Sequence, residues 1–222
     1  AGASSIRAVA TAVIRTAANR DEFCAAVRRE GGIEVRVLDG REEARLAFLG
    51  ATRTLGRPLK GRVAVVDVGG GSSEIAIGTC EGGVEWWHSF NVGSGVLADR
   101  HFETDPPTGA QLRAVTEAVT RLLEEIAPPA VDTAVAVGGS AASLRRLVGE
   151  ELDADSLARA LKLLTSGPAA DVALRFDLDV RRVRLMPAGL LALGAAARAL
   201  GRPLLIGRGG LREGVLLDLA GA

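Results

Sequence analysis

The sequence predicts an α/β fold built as two consecutive units, and three observations carry that expectation. Near the N-terminus, strand-like and capped helix-like stretches follow one another in β-α-β-α order. Further on, three alternating runs are separated only by glycine-rich turns, as in a β-meander. After them, helix and strand patterns alternate almost to the last residue.

Residues 6–11 (IRAVAT) read as a buried strand. Asn19 to Glu22 (NRDE) has the spacing of a capping box, so a helix is expected to start there, bury Phe23, Ala26 and Val27, and stop at Gly31-Gly32. IEVRVL (residues 33–38) alternates as a second strand. Asp39 then caps a helix through GREEARLAFLGATRTL, with Glu42 as its capping-box partner. Pro58 and Gly61 mark a joint, which puts residues 1–58 in one domain and residues 59–222 in another.

In the second domain, strands are expected over Arg62–Val68, Ser73–Gly78 and Glu85–Val92. Trp86 and Trp87 on the third should point one inward and one outward. Thr108 and Gln111 open a helix whose apolar stripe is Leu112, Val115, Val119, Leu122 and Ile126. Thr133–Val137 is a strand that runs into Gly138-Gly139-Ser140 and a further helix. Asp155 caps the next helix, within a helical insert from Asp153 to Asp179. Pro187–Leu200 forms another helix, Pro203–Ile206 a last strand, and LREGVLLDLA a closing helix.

Composition narrows the function. Lysine plus arginine and aspartate plus glutamate both number 27, so no global charge draws the chain to nucleic acid or an anionic membrane. An anionic ligand must be captured locally. Cys24 and Cys80 lack metal-ligand spacing and read as free thiols in a reducing cytoplasm. The N-terminus has no basic leader pattern, and the stretch around Pro187 meets Arg198 too soon to span a bilayer. A soluble, cytoplasmic protein is expected.

The most informative stretch is VVDVGGGSSEIAIG, residues 65–78. Gly69, Gly70, Gly71 and Ser72 lie between two strands. They form either a hairpin phosphate loop presenting successive N–H groups or simply a flexible turn. No Lys-Ser/Thr follows, which excludes a Walker-type P-loop. Asp67 could hold Mg²⁺ and Glu74 could orient a nucleophilic water; equally, they could cap a turn and face solvent. Gly138, Gly139 and Ser140 offer a second anion site at a helix N-terminus, or a tight β-α turn capped by Ser140. Glu43 has no local capping role and is either a solvated helix acid or a general base in a cleft. GRGGLREG is rejected as a dinucleotide fingerprint because Arg212 replaces the third glycine. His88 and His101 show no relay pattern.

Taken together, RAVATAVIRTAANRDEF, LDGREEARLAFLG, VVDVGGGSSEIAIG, AVGGSAASL and GLREGVLLDL resemble, in order and along essentially the whole chain, the exopolyphosphatase/guanosine pentaphosphate phosphohydrolase (Ppx/GppA) family. The resemblance implies an actin-like, ribonuclease H-like fold of two α/β domains. It implies Mg²⁺-dependent hydrolysis of a terminal phosphoanhydride in polyphosphate or pppGpp. It casts Glu43 as the general base, Glu74 as the second essential acid, Asp67 as the metal-associated aspartate, Gly69–Ser72 as a phosphate loop and Arg15 as a phosphate-contacting arginine. The family's opening Asp-x-Gly-Ser strand has no counterpart in residues 1–14, so the first domain is expected to be incomplete. Its exposed sheet edge then predicts a homo-oligomer, a dimer. That departure also raises a non-catalytic polyphosphate or nucleotide sensor as an alternative. The shared fold raises a third reading, an actin-like kinase or chaperone ATPase.

Overall fold

The computed structural model describes residues 6–221. The first five residues of the stretch read for a leader lie outside that range. In chain order the elements are β1 (Ala8–Ala10), α1 (Ala12–Thr16), α2 (Arg20–Gly31), β2 (Val35–Val37), α3 (Gly40–Thr54), β3 (Val63–Val68), β4 (Ser73–Thr79) and β5 (Gly83–Phe90). They continue with α4 (Ser94–His101), α5 (Gly109–Glu124), β6 (Thr133–Val137), α6 (Gly138–Val148), β7 (Glu151–Leu152), α7 (Ala154–Leu164), α8 (Ala169–Phe176), α9 (Val180–Leu200), β8 (Leu204–Ile206) and α10 (Leu211–Leu219).

β1 and β2 form a small parallel sheet. The larger sheet has the order β5-β4-β3-β6-β8-β7. Its β3-β4-β5 meander is antiparallel, and β6 and β8 continue parallel to β3. This is the expected actin-like α/β arrangement.

β3 (VAVVDV) is buried along its whole length because helices cover both faces of the sheet. Val66, Val68, Ile75 and Ile77 face a core completed by α5 and α9. Val63, Val65, Ala76, Val135 and Val137 face Ala44, Ala47, Phe48, Ala51 and Leu55 of α3. Thus α3, which precedes the joint at Pro58, forms the layer under the second sheet. Its other neighbour is α10. A Cβ on Gly50 would run into the Gly210 carbonyl, and one on Gly214 into the Leu46 carbonyl, so the two helices meet backbone to backbone. Arg45 on α3 also pairs with Asp218 on α10 at 2.9 Å.

Several local expectations need correction. Asn19 precedes α2, but its side chain makes no cap bond, so the NRDE capping box does not form. α2 buries none of its residues, and Phe23 is exposed, because β1 and β2 give it little to pack on. Asp39 caps α3 by accepting from Glu42 N at 2.8 Å, yet the Glu42 carboxylate pairs with Arg36 on β2 instead of returning to the cap. Asp153, not Asp155, caps α7, because Ser156 completes a reciprocal capping box with it. α9 starts at Val180, where Asp179 accepts from Arg182 N at 3.1 Å, so Pro187 lies inside the helix. This apolar 21-residue helix is long enough to cross a membrane, but 67% of its apolar window is buried in the fold.

Other expectations hold. The Thr108–Gln111 box opens α5. Trp86 packs on the core while Trp87 is exposed.

Candidate active site

The acids lie where the apolar ladder beneath the sheet runs out. Along one face of β3 the side chains read Val63, Val65, Asp67, and along the same face of β4 Ala76, Glu74. Asp67 stands directly opposite Glu74, and Glu74 directly opposite Ser89 on β5. Three strands therefore align Asp67, Glu74 and Ser89 in one row. α3 covers the apolar part of this face, and its first turn brings the Glu43 charge to bear on Asp67 and Glu74. Glu43, Asp67 and Glu74 are all buried.

Arg15 ties α1 to this first turn. Its Nη1 donates to Glu43 Oε2 at 2.9 Å and to the Leu38 carbonyl at 2.8 Å. Its Nη2 is buried with no acceptor among the described residues. Leu38 is itself anchored to β1, its N–H donating to the Ala10 carbonyl at 2.9 Å. The sequence-expected phosphate arginine is thus held beside the expected base, with one donor nitrogen unused.

The Gly69–Ser72 hairpin is oriented by α4. Ser94 N and Oγ donate to the Gly69 carbonyl at 2.8 and 3.1 Å, and Gly95 N and Val96 N donate to the Gly70 carbonyl at 3.0 and 3.2 Å. With the carbonyls turned to α4, the N–H groups of Gly70, Gly71 and Ser72 find no backbone acceptor among the described residues. That is the geometry of an anion cradle. A Cβ on Gly71 would stand 3.1 Å from Val13, so the loop lies against α1.

α6 starts at Gly138, with Val137 as its N-cap, so Gly138, Gly139 and Ser140 are its first three residues and Ser140 is not the cap. The N–H groups of a first turn lack intrahelical partners. Gly138 has φ +84°, and a Cβ there would collide with Asp67 Oδ1. The two glycine stretches share a cleft of about 330 Å³, lined by Gly69, Gly70, Ser94, Gly139, Ser140 and Arg182, among others. Arg182 closes one wall, donating to the Gly139 carbonyl at 3.2 Å and to Ser143 Oγ at 3.1 Å.

Burial, reinforced by the Glu43 charge, pushes the Asp67 carboxyl up to about 7. Burial, then the charges of Glu43 and Asp67, pushes Glu74 up to about 8, and the Ser89 and Ser72 hydroxyls pull it partly back. Glu43 therefore lies within electrostatic reach of both other acids. Among the described residues no three His, Cys, Asp or Glu side chains form a ready-made metal cage. Mg²⁺ needs only one or two carboxylates, completed by water and phosphate oxygens, and hard carboxylates crowded against one another suit such an ion. The donor set fits.

Unfolded, both carboxyls titrate near pH 4; folded, they keep their protons until about pH 7 to 8. Their stabilising contribution is complete below about pH 4 and is lost as pH rises through 7 to 8. With a chelator present, Tm should fall between about pH 5 and pH 9, and Glu74→Gln should flatten that fall. The variant should exceed the parent by roughly 2–4 kcal/mol at about pH 9 in urea unfolding. Parallel curves for the two proteins would contradict the assignment.

Comparison with known proteins places this chain in a family. The model of the Ppx/GppA phosphatase family matches residues 1–222. The chain belongs to the Ppx/GppA phosphatase family. It is 31% identical to Exopolyphosphatase 1 of Mycobacterium bovis over 97% of this chain and 67% of that protein. It is 26% identical to the guanosine-5'-triphosphate,3'-diphosphate pyrophosphatase of Aeromonas hydrophila, over 99% of this chain but only 46% of that longer protein. The crystal structure of the Aquifex aeolicus Ppx/GppA family member superposes with a TM-score of 0.81 at 30% identity, over 96% of this chain and 73% of that one. An exopolyphosphatase-like protein superposes with a TM-score of 0.87 at 25% identity, over 99% and 78% of the two chains.

The structure therefore gathers Arg15, Glu43, Asp67, Glu74 and the Gly69–Ser72 loop around one region, with Gly138 against Asp67 and Gly139 and Ser140 along the adjoining cleft. Sequence reading missed Ser89, Ser94 and Arg182. Ser89 was recoverable only by pairing β4 with β5 in register, and Arg182 only from its place three residues after the cap Asp179.

Proposed function

We propose that this phosphoanhydride hydrolase removes the terminal phosphoryl group of inorganic polyphosphate in a Mg²⁺-dependent reaction, and that pppGpp is its alternative substrate. The observation that carries this reading is the approach of Glu43, from α3, to Glu74, from the sheet, beside a glycine hairpin whose N–H groups lack backbone acceptors among the described residues. Polyphosphate is favoured over pppGpp because the relatives named exopolyphosphatase are 31–32% identical to this chain, against 26–30% for those named guanosine pyrophosphatase.

Glu43 accepts a proton from water as the water oxygen bonds to the terminal phosphorus. The bond from that phosphorus to the bridging oxygen breaks, and the shortened chain departs with the bonding electrons. Arg15 orients Glu43 through Nη1, and its free Nη2 is available to a phosphoryl oxygen. Glu74 accepts the second hydrogen bond of the water and aims it. The N–H groups of Gly70, Gly71 and Ser72 receive the non-bridging oxygens, and the first turn of α6 receives the next phosphoryl group. Asp67 would hold the Mg²⁺, whose contribution would be to neutralise charge on the transferring group.

The test is phosphate release from polyphosphate by the purified 222-residue chain, with Mg²⁺ and with chelator. Steady release that stops on chelation is expected; polyphosphate binding without any release would establish the sensor reading instead. Self-association as a dimer is also proposed, supported by the exposure of Ile6, Val13 and Phe23 on the small N-terminal lobe. Light scattering should return twice the chain mass; a monomer at working concentration would contradict it.

A further inference from the structure

The geometry points to Ser89 as a positioning residue for Glu74, locked in place by the absence of a side chain at Gly40. Nothing in the Ser89 stretch (WWHSFNVG) marks it as functional. In the fold, Ser89 is the cross-strand partner of Glu74, and its Oγ donates to Glu74 Oε1 at 2.9 Å. On its other side lies the first residue of α3. A Cβ built on Gly40 would stand 2.8 Å from Ser89 Cβ and 2.9 Å from Ser89 Oγ, closer than side-chain atoms pack. Gly40 therefore lets the helix that carries Glu43 settle directly onto the residue that holds Glu74. One serine bonds Glu74 and lies against the first residue of the helix that carries Glu43.

A carboxylate with two oxygens can aim only one at a water if the other is fixed. Ser89 holds Oε1 and so sets the direction in which Oε2 faces. Without the hydroxyl the Glu74 side chain gains rotamers that point away from the water, and catalysis falls while substrate binding, which depends on the glycine cradles, does not.

This inference rests on the hydrolase reading and is tested within it. Ser89→Ala should lower kcat about 10–100-fold with KM within about twofold of the parent, the loss of one hydrogen bond to a charged group. Because Ser89 acts only through Glu74, the Ser89→Ala/Glu74→Gln double variant should be no slower than Glu74→Gln alone. Gly40→Ala should lower kcat with the hydroxyl still present, because its Cβ displaces Ser89, and this variant serves if Ser89→Ala melts early. Unchanged kcat in folded Ser89→Ala, or effects that multiply in the double variant, would overturn the assignment and leave the hydrolase reading intact. A parent protein that releases no phosphate would overturn both.

Discussion

Glu74→Gln is expected to lower the rate of phosphate release from polyphosphate by roughly 10²-fold or more, equivalent to about 2.7 kcal/mol of transition-state stabilisation. Gln keeps the volume and one hydrogen-bond acceptor, so the row of Asp67, Glu74 and Ser89 should survive. What disappears is a carboxylate able to orient a water through a charged acceptor. Glu43→Gln should cost at least as much, because Glu43 takes the proton, and it also cuts the ion pair with Arg15 at 2.9 Å. The two variants should differ in stability. Glu74→Gln removes an acid that burial and two like charges disfavour, so the metal-free fold becomes more stable near neutral pH. Glu43→Gln leaves the Arg15 guanidinium without its counter-charge in a half-buried setting, so the fold loses stability. Parent-like turnover in either variant, measured as phosphate release under saturating substrate, would remove both glutamates from the mechanism.

The second large effect is expected at a glycine beside Asp67. Gly138→Ala places a Cβ against Asp67 Oδ1 at a residue whose φ is +84°. A non-glycine residue in the left-handed region is strained, and the clash adds to this because Asp67 is 7% exposed and has no open space to enter. A loss of about 3 kcal/mol or more in urea unfolding is expected, together with a fall in phosphate release of at least about 10²-fold as Asp67 is displaced. Gly139→Ala is the control. Its Cβ would lie 3.3 Å from Arg182 Nη1, the far end of a flexible side chain, so stability should change by less than about 1 kcal/mol. Equal behaviour of the two variants would show that Gly138 is an ordinary turn residue.

The parts of this protein that were legible in the sequence are those whose signal is local. The triple glycine between two alternating strands, the Thr108–Gln111 box and the Asp39 cap each announce themselves within a few residues, and each forms. The ordered motifs also allowed Glu43 and Glu74 to be singled out together although 31 positions separate them. Other features depend on partners that sequence spacing does not reveal. The five-residue α1 and the eight-residue α4 are too short for a 3.6-residue period to show, and α4 matters because it turns the hairpin carbonyls away. Asp153 and Asp155 are both plausible caps by residue type; the reciprocal bond with Ser156 selects the first. Phe23, Ala26 and Val27 have helical spacing, yet an amphipathic pattern only offers a face, and the small β1–β2 sheet gives α2 little surface to bury it on. Ser89 acquires meaning only once strand register is known.

The claim on which the rest depends is that acids from α3 and from the sheet serve one water beside one glycine cradle. Its most direct test is a crystal structure of the protein with Mg²⁺ and a phosphoryl mimic such as vanadate. The expected result places the anion on the N–H groups of Gly70, Gly71 and Ser72, with Glu43 and Glu74 both within hydrogen-bond distance of its apical oxygen. An anion bound elsewhere, or carboxylates of residues 43 and 74 turned to separate cavities, would contradict it.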